Sequence, residues 1–156
     1  MATGKTLRSR KRNVEISTNH LAANTVSRKP VRKQYHFRSS PNGYFAWDVD
    51  RLIELSSDLP VRSLPLDRLA ELDEDYWFAH ESTPTCRHIA EHFQLMSEAA
   101  LTYPIILCAE GRLMDGMHRA TKALVLGMRE IRCVQFEVTP KPDYVDVQPK
   151  DLPNTR

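Results

Sequence analysis

Five consecutive residues, Asp115-Gly116-Met117-His118-Arg119, combine the residue types that bind phosphate. Glycine allows close backbone approach and dihedrals closed to other residues. Arginine offers two parallel donors to phosphate oxygens, and a histidine ring adds another. If a strand ends at Asp115 and a helix follows, the first amides of that helix have no internal acceptor and point at whatever covers the turn. The helix dipole adds positive partial charge in the same place. Gly116, Met117, His118 and Arg119 are therefore the expected phosphate-binding set. Asp115 is placed to hold a metal ion, a hydroxyl or the arginine itself.

A second concentration of chemistry precedes it. Glu71-Leu72-Asp73-Glu74-Asp75 is an acidic patch closed by Tyr76-Trp77-Phe78. It reads either as a solvated loop or as the source of a carboxylate base. The aromatics either pack under that loop or stack on a ligand. His88-Ile89-Ala90-Glu91-His92 matches the inverted zincin pattern. The distant glutamate that such a metal also needs is missing downstream, so the two histidines are expected on a polar flank of a helix. Arg87 is a further possible phosphate contact.

The elements that must position these residues follow from periodicity. Trp47 to Leu55 reads as a short helix capped by Asp48, with Val49, Leu52 and Ile53 on one face. Val61 to Leu66 is a strand, and Pro65 makes it an edge or a terminus. Thr83-Pro84 predicts a helix start. That helix runs to about Ala100, with Cys86, Ile89, Ala90, Phe93 and Met96 inward at spacings of three and four. Tyr103 to Cys108 is an apolar run of buried-strand length. Ala109-Glu110-Gly111 turns the chain into the segment ending at Asp115. Met117 to Leu126 is a helix with Ala120, Ala123 and Leu124 inward and Gly127 as its stop. Ile131 to Val138 is the last expected strand. The pattern predicts an α+β domain with a mixed sheet of about four strands packed with helices.

The turn, with Pro104-Ile105-Ile106-Leu107, Gly111-Arg112-Leu113-Met114 and Ile131-Arg132-Cys133-Val134 around it, resembles the ParB/sulfiredoxin superfamily. The likeness covers residues 61–138, with elements in the expected order. It implies a small ParB/sulfiredoxin-like fold whose turn and helix start bind nucleotide phosphates. Sulfiredoxins have a cysteine where Met117 stands, and a thioether forms no thiolate, so sulfinic acid repair is excluded. Partition-type ParB proteins have Gly-Glu-Arg-Arg and an Asn-Pro-Arg motif, both absent here. The free serine kinase branch is most similar, with an Asp-Gly-His-x-Arg-like turn and an acidic base soon after the first strand. The resemblance thus assigns Asp73 or Glu74 as base and Asp115 to the phosphate–metal end, with ATP or ADP (CTP as a variant) and Mg²⁺ as cofactors.

Charge divides the chain. Residues 1–38 carry ten Lys or Arg and one acid, whereas residues 39–156 carry 12 basic and 19 acidic residues. The expected organisation is a basic, disordered arm over 1–38, one domain over 39–139 and a proline-rich extended tail over 140–156. The arm is able to meet nucleic acid through phosphates, although no aromatic residue precedes Tyr35 for stacking. No run of about 18 apolar residues is present, so no membrane partner is expected. Three dispersed cysteines and no secretory apolar run predict a reduced, cytoplasmic setting.

Two functions compete at this stage. One is a phosphotransferase that uses a nucleotide to phosphorylate a hydroxyl-bearing small molecule. The other is a non-catalytic nucleotide-dependent module that binds DNA or protein. A ParB-like nuclease is a third, requiring converging metal-binding carboxylates.

Overall fold

The computed structural model describes residues 33–78 and 83–153. In chain order the elements are β1 (Tyr35–Ser40), β2 (Gly43–Asp48), α1 (Val49–Ser56), β3 (Arg62–Pro65), α2 (Cys86–Glu98), β4 (Ile105–Leu107), β5 (Leu113–Asp115), α3 (Met117–Val125), β6 (Glu130–Gln135) and β7 (Tyr144–Val147). Short 3₁₀ turns cover Leu66–Arg68, Ala70–Asp73 and Pro149–Asp151. The fold is mixed α+β, as expected. Most of basic residues 1–38 fall outside the described part of the chain.

The expected four-stranded sheet has the order β3-β6-β4-β5. β4 and β6 are parallel, with Ile105 opposite Cys133, and the other two pairings are antiparallel. Pro65 ends the edge strand β3, where a missing N–H costs no ladder bond. Successive residues of a strand face opposite sides, and here that alternation feeds two cores. Ile105, Leu107, Leu113, Ile131 and Cys133 pack with Met117, Ala120 and Ala123 of α3. Ile106, Cys108, Met114, Val134 and Phe136 pack with Trp47 and Leu52 on the other face. β5 and α3, which flank the Asp-Gly turn, therefore both insert side chains into one core.

A second sheet, β1-β2-β7, lies outside the expected plan. β1 and β2 form a hairpin with Tyr35 opposite Asp48, and β7 pairs antiparallel with β2. Asp146 closes the hairpin turn by accepting from Ser40 Oγ at 2.6 Å and from the Asn42 amide at 3.2 Å. Residues 35–38 thus belong to a strand and not to the arm, and the tail 140–156 contributes β7.

Two helix faces also differ from expectation. The α2 cap is Thr85, whose hydroxyl accepts from the His88 amide, and Thr83 lies outside the helix. No α2 residue is buried: Cys86 is exposed, and Ile89 and Phe93 are 55% and 60% exposed. Its least exposed stripe is His88, His92 and Met96, so of the five residues expected inward only Met96 keeps that side. The helix is rolled so that the expected polar flank meets α3. Lys122 of α3 fixes that packing by donating to the Ser97 and Ala99 carbonyls at 2.8 and 2.7 Å, which satisfies the open C-terminal end of α2. Ile53 and Leu124 are likewise exposed, at the margins of otherwise correct inward faces.

Candidate functional site

Gly116 sits between β5 and α3 with φ +110°, a left-handed conformation that favours glycine. A Cβ there would lie 2.7 Å from Ile105 Cγ2 and 2.9 Å from Arg119 Nη2, so the backbone passes too close for any side chain. The Gly116 carbonyl accepts from the Ala120 amide at 3.0 Å and starts the helix. No side chain caps it. The Met117, His118 and Arg119 amides find no acceptor among the described residues, leaving three donors at the positive end of a nine-residue helix. Met117 itself is 6% exposed and packs in the core, so it offers an anion only its amide.

Arg119 is partly committed. Its Nη2 donates to Asp115 Oδ2 at 2.8 Å and to the Pro104 carbonyl at 3.3 Å. Its buried Nε has no partner. Of the roles open to Asp115, the structure fills the last: it holds the arginine. Arg119 thereby ties the turn to the start of β4.

The acidic patch is divided among different partners. Glu71, 4% exposed, accepts from the Leu113 amide at 2.8 Å and from Arg112 Nε at 2.9 Å. Glu74 holds Arg112 with both oxygens, at 2.8 and 2.6 Å, and Arg112 keeps its carboxyl below the usual range. Arg112 and Leu113 stand at the opposite end of β5 from Asp115. Asp75 accepts from the Phe78 amide at 3.0 Å. Asp73 is exposed, and its carboxylate has no ion pair or hydrogen bond among the described residues. Burial pushes the Tyr76 phenol up to about 12, with the Asp115 and Glu71 carboxylates adding to the rise.

Beyond Tyr76 this segment delivers an aromatic to the turn. His92 Nδ1 and His118 Nε2 lie 2.9 Å apart. The two rings are within 19° of coplanar, with centroids 5.2 Å apart. That separation is what two five-membered rings reach edge to edge across such a contact, so they form one plate joined by an N–H···N bond. Trp77 lies over the plate at 4.2 Å from His92 and 5.0 Å from His118, tilted 20° to each. Phe78 meets His92 edge-on at 5.3 Å. Burial lowers both histidines from their ordinary value; each ring is further lowered by another histidine, His88 for His92 and His92 for His118. Sequence reasoning noticed His88 and His92 only as a metal pattern, and Trp77 only as a choice between packing and stacking. The usable signal was the i,i+4 histidine spacing combined with a second histidine after the glycine turn.

A metal held by protein groups alone is not supported by this donor set. No three His, Cys, Asp or Glu side chains converge to hold one among the described residues. The facing nitrogens of His92 and His118 are joined by one N–H···N bond at 2.9 Å, which leaves no room for an ion between them. Asp115 and Glu74 are already paired with arginines. Arg87 is exposed on the first turn of α2. No helix among the described residues is long and apolar enough to cross a membrane. Comparison with protein-family models, curated proteins and solved structures gave no match.

Proposed function

We propose that the protein binds a nucleotide through its phosphates at Gly116–Arg119 and transfers a phosphoryl group to a hydroxyl-bearing small molecule. The observation that carries the binding step is the row of three acceptor-free amides behind Gly116, with the His118 ring beside them. The motif resemblance to the free serine kinase branch makes a nucleotide phosphate the anion of choice, ATP or ADP first. Mg²⁺ would arrive with the nucleotide, neutralising its phosphates as such transfers require. Glu74 is neutralised by Arg112, so Asp73 is the carboxylate left to orient or deprotonate an acceptor.

A second reading has its own support. Two of the three assigned acids, Asp115 and Glu74, already serve arginines. A module that binds nucleotide without turning it over, and uses the basic residues 1–38 toward DNA, needs no free carboxylate. The nuclease reading loses ground for the same reason, since its carboxylates do not converge.

The test is a nucleotide-binding screen by calorimetry, followed by ATP and ADP consumption across amino acids and sugars. Binding weakened at least tenfold in Arg119→Ala, with turnover abolished in Asp73→Asn but kept in Glu74→Gln, supports the kinase. Binding without turnover, together with duplex DNA binding that requires residues 1–38, supports the module. Absence of binding at millimolar nucleotide ends both.

A further inference from the structure

The edge-to-edge contact of His92 and His118 has a chemical consequence. In the neutral pair one ring donates and the other accepts. Adding one proton is tolerated: the proton stays on the shared edge, and the charged ring still donates to its neighbour. Adding a second is not, because two N–H bonds would then point at each other and two positive rings would share one plate. The pair is therefore a unit that carries one extra proton readily and two only with difficulty. His118 belongs to the first turn of α3, the turn that carries the three acceptor-free amides.

We propose that His92 and His118 titrate as one unit that takes up a proton when a phosphate group docks at the α3 N-terminus, with His92 as the positioning residue that accepts from protonated His118. This rests on the nucleotide-binding reading and deepens it. An incoming phosphate favours the charged form of the pair, and the pair in turn becomes a charged donor for the phosphate. The other ionisable groups around the plate are few. Glu91 and His88 sit on α2, Asp115 on β5 and Arg119 on α3, and their charges act on the pair in opposing directions. Arg119 and Asp115 neutralise each other. Trp77 stacks on the plate and Phe78 meets His92 edge-on, and neither brings a charge. Burial holds the empty pair neutral near pH 7, so the proton is acquired with the ligand and not before it.

The sign is fixed by linkage. Affinity rises as pH falls through the pKa of the bound pair and levels off below the pKa of the empty pair. Where the coupling is complete, the slope approaches tenfold per pH unit. His92→Phe keeps a flat aromatic ring against Trp77 but removes the acceptor. His92→Gln restores an acceptor through its side-chain carbonyl.

Two measurements on the full chain test this. Imidazole ¹⁵N shifts, followed by NMR against pH without ligand, report the pair. Coupled behaviour, with both rings responding in two separated steps, is expected; two independent single-step titrations would overturn the unit. Calorimetry with adenosine 5′-(γ-thio)triphosphate in buffers of different ionisation enthalpy reports proton uptake near pH 7. Uptake of up to one proton is expected, at least halved in His92→Phe and largely regained in His92→Gln. Equal uptake in the wild type and His92→Phe overturns the role of His92 while leaving nucleotide binding intact. No binding by the wild type overturns the phosphate reading itself, a failure that the ligand-free titration keeps distinct.

Discussion

Arg119 Nη2 donates to Asp115 Oδ2 across the glycine turn that joins β5 to α3, and the same nitrogen reaches back to the Pro104 carbonyl. Asp115 thus acts as a brace for the arginine. Replacing Asp115 with Asn keeps an acceptor but removes its charge, which leaves the guanidinium freer to meet an anion. Asp115→Asn is expected to retain or tighten nucleotide binding, whereas a metal-holding or catalytic Asp115 would make that variant inactive. Arg119→Ala should weaken binding at least tenfold and cost about 1 kcal/mol of stability, a modest figure because the pair is still reached by solvent. Calorimetric titration and thermal unfolding of the two variants separate these cases.

Gly116→Ala combines two penalties. The backbone is left-handed at φ +110°, and the new Cβ would press on Ile105 at 2.7 Å. Strain and overpacking together predict a loss of roughly 2–4 kcal/mol. Urea unfolding would show it as a lower midpoint at unchanged slope. Gly127, also left-handed but with nothing within 4 Å of an added Cβ, should show only the conformational part of that loss when replaced by alanine.

The two glutamates on Arg112 should respond very differently. Glu71 is buried and accepts from the Leu113 amide, so Glu71→Ala strands a backbone donor in the interior, while the exposed Arg112 keeps Glu74 and solvent. A loss of about 2–3 kcal/mol is expected. Glu74 meets the same arginine at the surface, where ion pairs contribute little, and Glu74→Ala should leave the melting temperature almost unmoved. Comparable losses in both variants would show that the outer pair matters as much as the buried one.

Where sequence reasoning succeeded, a local rule and the tertiary structure agreed. Strand, Asp-Gly turn and helix could be read because Gly116, the apolar run before it and the Ala120/Ala123 spacing all point to one arrangement. The same holds for Asp48 as cap of α1, which accepts from the Asp50 amide. Failures came where partners lie far apart in sequence. β2 pairs with β7, about a hundred residues away, and its neighbour β1 was averaged into a basic stretch whose charge masked Tyr35, Phe37 and the alternation between them. The roll of α2 was also out of reach. Cys86, Ile89, Ala90 and Phe93 fall on one stripe, which favours burying them, but the Lys122 contacts and the His92–His118 bond orient the neighbouring stripe of His88, His92 and Met96 toward α3. At the site, the glycine turn was legible because it is contiguous. The destination of the acidic patch was not, because Arg112 competes with the turn for those carboxylates and nothing local says which wins.

His36 supplies a pH dependence independent of any ligand. Its ring is buried against Trp47, and its Nε2 accepts from Arg38 Nε at 3.2 Å, an arrangement open only to the neutral form. Burial, followed by the charge of Arg38, lowers its pKa from 6.5 to about 4. The unfolded chain then binds a proton between those values that the folded chain refuses. Stability from this residue is complete above pH 6.5, is lost as pH falls toward 4, and changes no further below that. A difference of this size corresponds to about 3 kcal/mol. Urea unfolding measured between pH 7.5 and 4 should show the decline, and His36→Phe, which fills the same space without titrating, should flatten the part of the curve between pH 6.5 and 4. A His36→Phe protein that loses stability over that range as steeply as the wild type would place the acid sensitivity elsewhere in the fold.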